Sequence, residues 1–262
     1  MIIDFHAHIY PDKIAAKASA AIGEFYDAPM AWHGTVEELL ASGERIGVDK
    51  YVVLSAATKV EQVESINNYI LGEIAKQPKF IGFGTILPGY TNFENEMKRI
   101  RAAGLRGVKI HPDFQKFQID TPEMDDVYEV LAALDMPILV HAGDCRYDYS
   151  GPKRIANVLD KHPKLKLIAA HFGGYTEWGE SMEHLVGRRV WFDTSSTSWK
   201  LPLADAKRIM AKHGVDKFLF GSDFPMWDHA DEWSRFVKLD LHGDDLDAVL
   251  YKNALELLKK NE

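Results

Sequence analysis

Short β-prone runs alternate with amphipathic helical stretches along this chain, and few folds accommodate that order eight times over. The runs cover residues 2–6, 50–55, 80–86, 105–110, 137–141, 166–170, 190–193 and 218–221. Helical patterns fill 36–46, 60–76, 93–103, 124–134, 153–161 and 204–213. Thr35 and the Thr121-Pro122 pair stand where such helices would be capped, and Gly104 and Gly214 where they would end. This order predicts an α/β fold, a single-domain (β/α)8 TIM barrel spanning residues 1–262. A doubly wound open sheet is the structural rival, but no GxGxxG turn follows the first run. The connection from residue 9 to 49 exceeds an ordinary βα link, and 26–34 within it are expected to form a loop over the site. Residues 231–260 show helical pattern without a strand, so a helical C-terminal tail packed outside the barrel is expected.

The net charge of −8 argues against a nucleic-acid partner, since phosphate recognition needs a basic surface. It leaves room for a small anionic substrate held by a local basic pocket. Cys145 is the single cysteine, which excludes an intrachain disulfide and fits a reducing compartment. No basic-then-apolar leader precedes His6, and no apolar run approaches membrane-spanning length. A cytoplasmic protein without a membrane partner is the expectation, and aromatic loops make a homodimer compatible with the sequence.

In such barrels the working residues sit where strands end. His6 and His8 close the first run at i and i+2, on one face of a strand, and so aim two imidazoles at one point. Lys109 and His111 end the fourth run, His141 the fifth and His171 the sixth, while Asp223 follows the eighth. A single histidine after an apolar strand is ordinarily a satisfied polar residue; repetition at corresponding strand ends is hard to explain by packing. Three imidazoles and a carboxylate suit Zn2+, with Mn2+ or Fe2+ as alternatives.

The ordered motifs DFHAHIYP, GVKIHP, ILVHAG, LIAAHFGG and FGSDFP span nearly the whole chain. Together they resemble the amidohydrolase superfamily, and within it the amidohydrolase-2 branch. That branch holds aminocarboxymuconate-semialdehyde decarboxylase, resorcylate-type decarboxylases and pyrone-dicarboxylate lactonases. The resemblance implies that His6, His8, His141 and Asp223 bind one metal ion, with His171 nearby as acid/base or polarising group. In binuclear relatives a carboxylated lysine at the end of strand four bridges two ions. Lys109 occupies that place, which leaves a second ion open.

On this basis the first expectation is a metal-dependent hydrolase of a small carboxylated amide, lactone or cyclic compound, with Asp223 as general base toward water. The alternative is a metal-dependent decarboxylase of an aromatic or unsaturated carboxylic acid. Lys109, His111 and Arg146 are expected to hold a substrate carboxylate, Arg146 by a bidentate contact. Pairing of Arg146 with Asp144 or Asp148 is the plainer reading of that residue. Trp32, His33, Trp178, Trp199, Trp227 and His229 fall after strands, where an aromatic rim would suit a planar substrate, though loop packing explains most of them. His162, His184, His213 and His242 fall in or near helices and read as surface residues.

Overall fold

In the computed structural model, which describes residues 1–259, the eight expected strands form one parallel sheet. Residues 260–262, including the last position of the expected tail, lie outside the described residues. The strands are β1 Ile3–His8, β2 Lys50–Leu54, β3 Phe80–Thr85, β4 Gly107–Ile110, β5 Ile138–Val140, β6 Leu167–Ala169, β7 Trp191–Asp193 and β8 Phe218–Leu219. They pair in sequence order. Backbone bonds across the last seam, Phe5 N–H to Phe220 O (2.8 Å) and Asp223 N–H to His6 O (2.8 Å), bring β8 back to β1 and close a barrel. The buried Asp4 carboxylate ties the same seam, accepting from the Ser222 hydroxyl (2.7 Å) and amide (3.0 Å) and from His229 Nε2 (2.9 Å).

Alternation along each strand decides what faces the lumen. Ile3, Phe5, Val52, Leu54, Phe83, Leu139, Ile168 and Leu219 form an inner cluster. Their neighbours Tyr51, Val53, Val108, Ile110, Ile138, Val140, Leu167 and Phe218 pack outward under the helices. The same two-residue step carries Lys109, His141 and Asp193 onto the lumen side at the strands' finishing ends. On β1 the pairing with β2 shifts register between Asp4 and Ala7. Such a bulge turns the following side chains, and Ala7 accordingly joins the outer layer while His6 and His8 enter the mouth.

Two expectations need correction. The tail does not lie outside the barrel: Ala254 and Leu257 of helix Asn253–Leu258 join the inner cluster, with Ile81 and Trp191 at the starting ends of their strands. The helix thus plugs the end opposite the mouth. The first connection is mostly helical, with helices Asp12–Tyr26 and Val36–Glu44, and only the stretch between them forms the expected loop. Thr35 caps the second of these in a capping box with Glu38. Among the described residues no helix is long and apolar enough to cross a membrane.

Candidate metal centre and active site

His6 Nε2, His8 Nε2 and Asp223 Oδ1 meet at the mouth, with His6–His8 at 3.2 Å, His6–Asp223 at 3.4 Å and His8–Asp223 at 3.5 Å. A tetrahedral ion with bonds of about 2.1 Å spaces its ligand atoms about 3.4 Å apart, so this donor set fits one divalent ion. The hydrogen bonds behind these groups set their tautomers. His6 Nδ1–H donates to Asp193 Oδ2 at 2.8 Å, which leaves Nε2 a lone pair facing the cluster. Asp193 Oδ1 accepts from the Ser195 hydroxyl (2.6 Å) and from the amides of His171 (3.0 Å) and Ser195 (3.1 Å). A second acidic and imidazole group, His6 with His171 and Asp193, is this hydrogen-bonded support.

Asp223 is anchored by its amide on His6 O, and its Oδ2 accepts from the Ser196 hydroxyl at 2.5 Å. Trp227 in turn donates to Ser196 Oγ at 2.8 Å. Both Asp223 (φ 58°) and His171 (φ 61°) occupy the left-handed region, which non-glycine residues enter at a cost that tertiary bonds must offset. Gly173 follows at φ 72°, and a Cβ there would strike the Phe192 ring. A Cβ at Gly174 would likewise crowd Glu177 O, so close packing explains both glycines.

His171 Nδ1–H donates to Ser195 O at 3.1 Å, so its Nε2 is free to accept from His141 Nδ1 at 3.1 Å. His141 does not reach the three-donor cluster. Its Nε2 is buried without a hydrogen-bond partner, 4.0 Å from the Asp113 carboxylate, and its ring stacks on His111 at 4.0 Å. His111 accepts from Phe114 N–H at Nδ1, which leaves Nε2–H to donate to the Tyr26 hydroxyl at 2.8 Å. The Tyr26 hydrogen is thereby released toward the cavity.

Charge follows from burial. Desolvation holds His6, His8, His111 and His141 below the ordinary imidazole range, and the Lys109 charge adds to it. All four are neutral near pH 7, the state a metal ligand needs. Burial alone would raise Asp223, but His6, His8 and His171 outweigh it and keep the carboxyl well below the usual carboxylate range. Lys109 is buried and is pushed down by desolvation to about 8, leaving it mostly protonated at neutral pH. Among the described residues its one hydrogen bond runs to His6 Nε2, at 3.0 Å.

The cavity over this cluster measures about 30 Å³ and is walled by Ile22, Tyr26, Met30, Phe114, Pro225 and Met226. An adjoining chamber is lined by Tyr175, Trp199 and Trp227. Of the sequence candidates, His6, His8, Lys109, His111, His141, His171 and Asp223 all line the cavity. Arg146 lines neither space. It makes a bidentate bond to Asp144 (2.9 and 2.6 Å) and donates to Phe25 O (2.6 Å), so it fastens the end of the first helix. Trp178 donates to His171 O, Trp32 to Asp228, and His33 is an exposed partner of Glu38. His229 is buried on Asp4, and His162 and His213 are buried as well, so none of the three is a rim or surface residue. Tyr26 and Ser196 were not among the sequence-derived site residues; Tyr26 meets His111 from 85 positions away, with no local signal.

Several solved structures share this architecture. The 5-carboxyvanillate decarboxylase of Sphingomonas paucimobilis is 16% identical with a TM-score of 0.75, covering 98% of both chains. A dihydroxybenzoic acid decarboxylase of a Polaromonas species, with bound manganese and the inhibitor 2-nitroresorcinol, is 15% identical with a TM-score of 0.75, covering 100% of this chain and 97% of that one. A protein named as a probable 2-pyrone-4,6-dicarboxylic acid hydrolase of Acinetobacter baumannii, with citric acid bound, is 19% identical with a TM-score of 0.73 over 98% of both. At these identities the likeness is one of fold. In sequence, decarboxylase orsB of Emericella nidulans is 28% identical over 126 residues, 40% of this chain and 37% of that protein, so the match spans well under half of the relative's length. The amidohydrolase family model matches residues 3–260, nearly the whole chain, and the protein belongs to that family, in its amidohydrolase-2 branch.

Proposed function

We propose that this chain is a metal-dependent lyase that releases carbon dioxide from an aromatic or unsaturated cyclic carboxylic acid. Lys109 carries the part of this reading that makes the substrate a carboxylic acid. It is a buried ammonium whose one hydrogen-bond acceptor among the described residues, His6 Nε2, is also a metal-facing nitrogen. That lone pair can serve Lys109 or an ion, not both. With an ion held, the ammonium is left seeking an anion, and a substrate carboxylate is the fitting partner. Curated and structural relatives named as decarboxylases support the same chemistry.

His6, His8 and Asp223 would hold the ion, with His141 beside them; when bound it supplies Lewis acidity to an oxygen anion. Tyr26 and Lys109 orient the substrate, the first by its free hydroxyl hydrogen and the second by charge. The bond from the ring carbon to the carboxylate breaks, its electron pair stays on that carbon, and a proton from solvent replaces the departing carbon dioxide. Asp223, ionised at rest, takes up that proton and passes it to the carbon, while the aromatic walls exclude bulk water.

Hydrolysis of a carboxylated lactone or amide is the second reading. It is favoured by one observation: Asp223 is already ionised beside the donor set, as a base toward water requires. Metal-loaded protein incubated in water labelled with deuterium and oxygen-18, with a panel of hydroxybenzoates and cyclic dicarboxylates, separates the two. Carbon dioxide release with one deuteron at the vacated carbon supports the lyase. Ring opening with incorporation of labelled solvent oxygen and no gas contradicts it and supports the hydrolase.

A further inference from the structure

Helix Asp12–Tyr26 buries only the small residues Ala15 and Ser19. Side chains of that size cannot fill the space beside the segment that carries Ile66 and Tyr69. A groove of about 690 Å³ lies there, against about 30 Å³ at the histidine cluster. The two spaces share His8, Ile22, His111 and Phe114, so the groove ends at the reacting centre. From the helix it is lined by Lys13, Ile14, Lys17, Ala18, Ala21 and Ile22, a stripe of one face by helical spacing.

The charge in this groove runs against that of the chain. The net charge is −8, yet among the described residues no carboxylate lines the groove itself, although Asp12 and Glu73 lie close enough to act on Tyr69 in its wall. Lys13 and Lys17 form no ion pair or hydrogen bond among the described residues. Two unpaired ammonium groups one turn apart thus flank an apolar floor. By helix rise they stand about 13.5 and 7.5 Å along the axis from Ile22, where the groove joins the site.

We infer that this groove binds the distal part of an extended dicarboxylic acid, its apolar body on Ile14, Ala18 and Ile22 and its second carboxylate on Lys13 and Lys17. This rests on the proposal that the reacting end is itself a carboxylic acid. The probes are decanedioate, decanoate and succinate, titrated calorimetrically into metal-loaded protein, with carbon dioxide release followed separately. Decanedioate should saturate at one per chain and bind more tightly than either other acid. The double variant Lys13→Glu/Lys17→Glu should weaken it at least about tenfold while leaving decanoate little changed. Ala18→Trp, which fills the floor, should weaken both long acids. Lack of saturable binding, equal decanedioate affinity in the charge-reversed variant, or a wild-type dimer that Ala18→Trp converts to monomer would overturn the inference. Because binding is read without turnover, intact titrations with no carbon dioxide released from the panel of hydroxybenzoates and cyclic dicarboxylates reject the lyase and leave the groove standing. Gas release without groove binding does the reverse.

Discussion

Replacing Asp193 by asparagine keeps shape and removes one charge, and its effect follows from the bonds at that residue. Oδ1 collects three donors, the Ser195 hydroxyl and the amides of His171 and Ser195. The asparagine oxygen must take that place, which turns its NH2 toward His6 Nδ1, now bonded at 2.8 Å. Two donors then face each other. His6 can relieve this only by moving its proton to Nε2, the nitrogen that faces His8 and Asp223. A protonated Nε2 cannot ligate, so metal affinity should fall about 10- to 100-fold, or about 1.4–2.7 kcal/mol. Fold stability should change by only about 1 kcal/mol, because the three bonds at Oδ1 survive. Competition for Zn2+ or Mn2+ against a chromophoric chelator, beside a urea unfolding curve, measures both. Wild-type metal affinity in a fully folded Asp193→Asn protein would refute the tautomer argument.

Asp223→Asn should abolish conversion of any active substrate; turnover at the wild-type rate would reject its role as proton carrier. Lys109→Met should lower kcat/KM about 100-fold or more while leaving melting temperature unchanged or raised, since a buried ammonium is exchanged for an apolar side chain. His213 accepts from Gly187 N–H, donates to Val190 O, and is pushed down by burial to about 4. The unfolded chain therefore binds the extra proton first, and stability present above about pH 6.5 is lost as pH falls toward 4, by about 3 kcal/mol. Urea titrations at several pH values should show a shallower loss in His213→Gln. Arg146→Ala should free the end of helix Asp12–Tyr26, costing about 1–2 kcal/mol and exposing the Phe25 region to protease, without the loss of substrate affinity that a direct carboxylate clamp would show.

Local periodicity made much of the barrel legible. Each strand alternates lumen and helix-facing residues, and each polar residue after an apolar strand body falls at the same end of the barrel. Hence His6, His8, Lys109, His141, His171 and Asp223 could be placed at one mouth before any contact was known. Helix Asp12–Tyr26 was less legible because alanines and lysines, rather than a stripe of large apolar residues, make up seven of its 15 residues. His213 was misread because its bonding partners lie 23 to 26 positions away, at Val190 and Gly187. Arg146 had two nearby acids on paper, and only the folded loop selects Asp144. His141 reached the mouth as expected, but its ring pairs with His171 and stacks on His111. Strand position fixes where a side chain starts, not which nitrogen it presents.

Metal content per chain tests the centre of this account most directly. Reconstituted wild-type protein, dialysed and weighed by elemental analysis, should hold one divalent ion, and the double variant His6→Ala/His8→Ala, still folded, should hold none. Protein that takes up no ion after reconstitution, or a double variant that keeps the full complement, would contradict the assignment of His6, His8 and Asp223 as its ligands.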